Sequence, residues 1–113
     1  SGSSLWMMFS MSYSGNFALE SDAPVECGWI VRGMVQGVGF RWWTHREAKR
    51  VGIVGLVRNR SDGGVEIMAR ATADQLERFE KSIRRGPPMS DVERLEVVTC
   101  ILPAESDGFT IER

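Results

Sequence analysis

An α+β open-faced sandwich is the fold class the sequence predicts, and three observations carry that prediction. Segments with strand or helix character follow one another in the order βαββαβ, with one more short strand behind them. Two helical segments of this length can cover only one face of the sheet that so many strands build. Glycine, proline and aspartate cluster between the segments, where turns are needed. Together these give a ferredoxin-like arrangement, with two helices on one face of a mostly antiparallel sheet.

Val25 to Arg32 has little polar character and predicts the first strand, and Gly33 to Gly39 is a glycine-rich loop. Arg41 to Arg50 predicts the first helix. Phe40, Thr44, Ala48 and Val51 share one helical face, while His45, Arg46, Lys49 and Arg50 mostly take the other side. Gly52 is the expected stop. Ile53 to Arg58 and Val65 to Arg70 predict two strands joined as a hairpin through the turn formers Asn59-Arg60-Ser61-Asp62-Gly63-Gly64. Thr72 and Gln75 fit a capping box for a second helix reaching Arg85. Leu76, Phe79 and Ile83 form its apolar stripe, and Gly86-Pro87-Pro88 ends it. Val92 to Leu102 predicts a long fourth strand, and Phe109 to Glu112 a short last one.

Composition bounds the function classes. The chain of 113 residues is 42% apolar and 26% charged, which suits one globular domain. Its net charge of −1 lacks the strong positive field of a nucleic-acid binder. All 14 Lys and Arg residues lie at or after Arg32. Residues 1–24 read as a leader, disordered or loosely docked, ahead of a domain spanning 25–113; Ser1-Gly2-Ser3-Ser4 has the composition of an expression scar. The leader's aromatics offer a surface for docking on the domain or on a second copy. A monomer is expected, with a leader-mediated dimer as the alternative. No stretch approaches the roughly 18 apolar residues of a membrane span, and there is no positive segment of the kind that opens a secretory signal. A cytoplasmic protein that binds no membrane is therefore expected. Cys27 and Cys100 are too few for a disulfide framework. If the first and fourth strands are neighbours, a bridge between the two is geometrically conceivable, whereas a reducing compartment favours free thiols.

The chemistry concentrates in Val35-Gln36-Gly37-Val38-Gly39-Phe40-Arg41. Glycines at 37 and 39 can take positive φ angles without steric cost, letting successive N–H groups converge on an anion. The following helix adds its own unpaired N–H groups and the positive end of its dipole. Arg41 brings a planar, permanently charged fork suited to phosphate oxygens. The stretch lacks the Gly-Lys-Ser/Thr ending of a Walker loop and is not G-x-G-x-x-G. What it describes is a small phosphate cradle without a metal.

The chain resembles the acylphosphatase family. Gly33-x-Val35-Gln36-Gly37-Val38-Gly39-Phe40-Arg41, Gly52-x-x-Gly55-x-Val57-x-Asn59, Asp62-Gly63-x-Val65-Glu66, Gly86-Pro87-Pro88 and Gly108-Phe109-x-Ile111 carry the resemblance from about Val25 to Arg113. It implies hydrolysis of the carboxyl–phosphate bond of a small-molecule acyl phosphate, giving a carboxylate and inorganic phosphate, with no metal, cofactor or covalent phosphoenzyme. It makes Arg41 the phosphate-binding arginine, Asn59 the residue that positions the attacking water, and the amides of 35–41 the holders of the phosphoryl oxygens. Trp42-Trp43 is bulkier than the family commonly shows and can narrow the entrance, and Leu56 replaces a frequent aromatic.

Each of these residues also has a plainer explanation. Asn59 can be simple turn chemistry. His45, the single histidine, is expected to be exposed on its helix, one turn beyond Arg41. At the level of the whole protein, one alternative is a ferredoxin-like module that binds RNA or protein without catalysis. Another is a detached relative of the acylphosphatase-like domain found in larger hydrogenase-maturation proteins.

Overall fold

The structure, a computed structural model, describes residues 23–112. The leader at 1–24 therefore lies almost wholly outside the described residues. The elements are β1 (Val25–Met34), α1 (Phe40–Val51), β2 (Val54–Asn59), β3 (Val65–Ala71), α2 (Ala73–Arg85), β4 (Asp91–Val98) and β5 (Phe109–Glu112). The strands form one sheet in the order β4-β1-β3-β2-β5. All neighbours are antiparallel except β2 and β5, which run parallel. Both helices pack on one face, giving the ferredoxin-like sandwich with β5 added at an edge.

Alternation along the strands builds the core. Cys27, Trp29 and Val31 of β1, Val65, Ile67 and Ala69 of β3, and Val57 of β2 point to the helix side and are buried. Phe40 and Ala48 of α1 and Leu76, Phe79 and Ile83 of α2 close over them, and Phe79 sits edge-on to Trp29 at 5.8 Å. Burial of this apolar surface, at roughly 25 cal/mol per Å², is the dominant favourable contribution to folding.

The helix ends follow their residues. Thr72 accepts from the Gln75 amide while the Gln75 side chain accepts from the Thr72 amide, so the expected capping box is present. α1 ends at Gly52, φ 90°, whose N–H bonds the Ala48 carbonyl at 2.8 Å. Thr44, buried at mid-helix, donates its hydroxyl to the Phe40 carbonyl at 2.8 Å and so leaves no polar atom unpaired.

Two strand boundaries differ from expectation. β1 runs on to Met34 through a register shift at Arg32/Gly33, so the glycine-rich loop begins only at Val35. Gly33 has φ 127° at that bulge, and a Cβ there would run into the Asp91 carbonyl, so glycine is required. β4 stops at Val98, not Leu102, because its successor β5 lies on the opposite edge and the chain must cross the sheet. Arg70 holds the crossing. Its guanidinium donates to the carbonyls of Leu102, Pro103 and Ala104 at 3.4, 2.9 and 3.4 Å and pairs with Glu26 at 2.9 Å.

Cys27 and Cys100 are both free thiols. Burial, then the Glu80 carboxylate, then Cys100 push the Cys27 thiol up to about 12. Among the described residues no helix is long and apolar enough to cross a membrane. The sheet face away from the helices carries ion pairs such as Arg58–Glu66 at 3.0 Å and Arg94–Glu96 at 2.9 Å. On its central strands that face presents Gly28, Ile30, Glu66 and Met68, not the aromatic platforms an RNA-binding sheet uses.

Candidate active site

The cradle sits where β1 gives way to α1. Val35 is buried and anchors the start of the loop, and Phe40 is buried and anchors its end. Between them Gly37 and Gly39 take left-handed φ angles of 78° and 77°. Gly39 is also the N-cap of α1, and without a side chain to cap the helix its first amides keep no internal partner. Among the described residues, none of the amides of 36–41 donates to a protein acceptor. A cavity of about 270 Å³ opens against them, lined by Val35, Gly37, Gly39, Phe40, Arg41, Trp42, Asn59 and Ile111.

Arg41 and Asn59 thus line one pocket. Arg41, on the first turn of α1, donates from Nη1 to the Glu112 carbonyl of β5 at 3.3 Å. The Glu112 carboxylate turns instead toward Arg58, at 4.0 Å, so it does not neutralise Arg41. One donor of the guanidinium is fixed and the others remain for an anion. Asn59 is the last residue of β2, opposite Val65 of β3. Its Oδ1 is buried and has no protein partner. It is not the turn-forming residue; that role falls to Asp62, whose Oδ1 accepts from the Gly64 amide at 3.1 Å.

Of the seven predicted loop residues, Gln36 and Val38 do not line the cavity. Val38 packs against the core. Gln36 does something the sequence did not reveal: its Nε2 donates to the carbonyls of Arg60 and Gly64, both at 2.8 Å. That links the glycine loop to the turn directly behind Asn59, fixing the two relative to each other. Arg32 reinforces the same turn through Asp62 at 2.9 Å. The Arg32 guanidinium, followed by the Gly64 amide, holds the Asp62 carboxyl well below the usual carboxylate range. Ile111, opposite Val57 in the parallel β2–β5 pair, forms the remaining wall.

His45 corrects an expectation. It is half-buried, stacked on Trp42 with centroids 5.4 Å apart and the planes at 12°, and it leans on Phe109 at 6.3 Å. The reason is β5, which packs against α1 and turns that side of the helix into an inner face. A larger cleft of about 520 Å³ lies between α1 and the 86–90 turn, lined by Trp43, Glu47, Arg50 and Arg85 among others. Its Arg50 is engaged by Glu47 at 2.7 Å, and it contains neither glycine-loop amides nor Asn59. Among the described residues no group of His, Cys, Asp and Glu side chains is arranged to hold a metal ion.

A family model described as Acylphosphatase matches residues 27–111. An acylphosphatase of Koribacter versatilis is 38% identical over 107 residues, covering 83% of this chain and 97% of the relative. One from Actinobacillus succinogenes is 42% identical over 95 residues, covering 79% and 99%. The crystal structure of acylphosphatase from Bacillus subtilis superimposes with a TM-score of 0.72 at 35% identity, covering 78% of this chain and 98% of that one. Full-length HypF, solved in a phosphate- and nucleotide-bound form, superimposes with a TM-score of 0.67 at 27% identity, covering 80% of this chain but 12% of that one.

Proposed function

The chain belongs to the acylphosphatase family, and from that premise we propose that Arg41 and the 36–41 amides hold a phosphoryl group while Asn59 aims the attacking water; the Val35 amide, which donates to the Gly33 carbonyl at 3.0 Å, is not among them. The reaction is hydrolysis of an acyl phosphate to a carboxylate and inorganic phosphate. The observation that carries the residue roles is the convergence of left-handed Gly37 and Gly39, Arg41 and Asn59 on one small cavity.

The chemistry asks little more of the protein. The leaving carboxylate is the base of an acid that titrates at about pH 4, so it departs without a general acid at neutral pH. Phosphoryl transfer through a loose transition state needs position and charge stabilisation. Preorganised amides and a guanidinium fixed at one end supply both, in a pocket that needs no reorganisation as charge develops. Asn59 Oδ1 accepts a hydrogen bond from water and orients its lone pair toward phosphorus without removing a proton. The proton passes to the substrate's own phosphoryl oxygens, which become the phosphate product. On this account turnover is metal-independent.

A monomer, a separately folding 25–113 domain and a cytoplasmic location belong to the same proposal. The test is phosphate release from acetyl phosphate in the presence of excess EDTA, by the wild type, Arg41→Ala and Asn59→Ala. Turnover by the wild type with loss in both variants is expected. Full activity in either variant would refute the assigned roles.

A further inference from the structure

We propose that Trp42, braced by His45, is the platform that receives the acyl group and biases the enzyme toward acyl phosphates carrying a planar or aromatic ring. The inference rests on the phosphoryl site proposed above. With the phosphoryl end at the amides and Arg41, the acyl substituent must lie against the rest of the cavity wall. That wall is Val35, Phe40, Trp42 and Ile111. Val35 and Phe40 are each 1% exposed and already committed to the core, whereas Trp42 is 59% exposed. The indole is therefore the large apolar surface a ligand meets on leaving the cradle.

A single exposed apolar side chain is ordinary on a protein surface. This one is different because it is held. Residues three apart on a helix are neighbours, and Trp42 lies nearly flat on the His45 ring, with centroids 5.4 Å apart and planes at 12°. His45 meets Phe109 at 6.3 Å, and Phe109 meets Phe79 of the core edge-on at 6.1 Å. A file of rings thus runs from the mouth of the site into the hydrophobic interior. Among the described residues His45 Nδ1 makes no hydrogen bond to the protein, and the ring is held by its contacts with Trp42 and Phe109. One indole face is thus held against His45, while Trp42 as a whole stays 59% exposed and lines the cavity. A rigid aromatic presents contact area at little entropic cost. The cavity, about 270 Å³, falls just below the range of about 300–1,000 Å³ typical of small-molecule sites. It suits a phosphoryl group with one ring-sized substituent better than a long chain. His45 acts through Trp42 and is a positioning residue.

The test compares two non-hydrolysable ligands, methylphosphonate and benzylphosphonate, by calorimetry on the full chain, beside kcat/KM for acetyl and benzoyl phosphate. Aromatic stacking accounts for about two- to tenfold in affinity. Trp42→Ala should cut the benzyl-to-methyl affinity ratio about fivefold, Trp42→Phe should keep most of it, and His45→Ala should lose part of it together with the near-UV circular dichroism of the ordered indole. An unchanged ratio in Trp42→Ala, or equal loss for both ligands, overturns the platform. Should the alanine variant fail to fold, Trp42→Leu makes the same comparison. A wild-type chain that shows the ratio yet hydrolyses neither acyl phosphate would overturn the catalytic reading while supporting the platform.

Discussion

Replacing Asn59 by alanine should separate activity from stability. Asn59 Oδ1 makes no hydrogen bond to another protein group among the described residues, so its loss breaks none. Alanine leaves the β2–β3 ladder intact, because Asn59 pairs with Val65 through the backbone. A domain of this size gains roughly 4–8 °C in Tm per kcal/mol. The variant should therefore change stability by less than about 1 kcal/mol and melt within about 4–8 °C of the wild type. Turnover should fall. Loss of water alignment costs about 100-fold in kcat, equivalent to about 2.7 kcal/mol of barrier. KM should stay close to the wild-type value, since Arg41 and the loop amides are untouched. Phosphate release at saturating acetyl phosphate and a urea melt followed by far-UV circular dichroism read the two effects on one preparation. Turnover within about threefold of wild type would refute water positioning. A stability loss above about 1 kcal/mol would show instead that the side chain has a structural task.

Other substitutions probe the remaining parts. Arg41→Ala should lose binding and turnover together, and Arg41→Lys should recover little of either, because an ammonium cannot hold the Glu112 carbonyl and a phosphoryl oxygen in one planar fork; inorganic phosphate binding by calorimetry measures this. Gly55→Ala should destabilise by about 1–3 kcal/mol or more in denaturant melts, since its Cβ would strike the Met68 carbonyl and come within 3.0 Å of the Ala69 Cα. Asp62 has a folded-state carboxyl held below its ordinary value, so its contribution is complete above about pH 4 and is lost as the pH falls below that. Asp62→Asn should lower stability at pH 7 and flatten the acid limb in urea melts between pH 5 and about pH 2.

The elements whose pattern is local were legible in the sequence. The Phe40-Thr44-Ala48 face, the Thr72–Gln75 box and the glycine stop at Gly52 each fix a helix by nearest-neighbour chemistry. The Gly37–Gly39 loop and Arg41 were legible for the same reason. What was not legible depends on partners distant in the chain. Nothing near Leu102 signals that β4 must end early; the chain leaves to reach β5 on the opposite edge, and Arg70, some thirty residues upstream, holds the crossing. His45 reads as solvent-facing until β5 packs beside it. Gln36 reads as one more loop amide until its side chain finds the Arg60 and Gly64 carbonyls. One signal was present and unread. Leu76, Phe79, Glu80 and Ile83 follow a helical i, i+3, i+4, i+7 rhythm, and Glu80 is indeed buried with them, its Oε2 at 3.5 Å from Arg84.

Four residues of β5 steady the Arg41 guanidinium, wall the cavity with Ile111 and back His45 with Phe109, although the strand lies at an edge and is bonded to β2 alone. Edge segments of this length open at lower free energy than central strands. A share of molecules should therefore be folded yet idle at any instant. Gentle urea should silence the catalyst while the spectroscopic signature of the sheet is still whole, and ligand at the cradle should slow hydrogen exchange along 109–112 first.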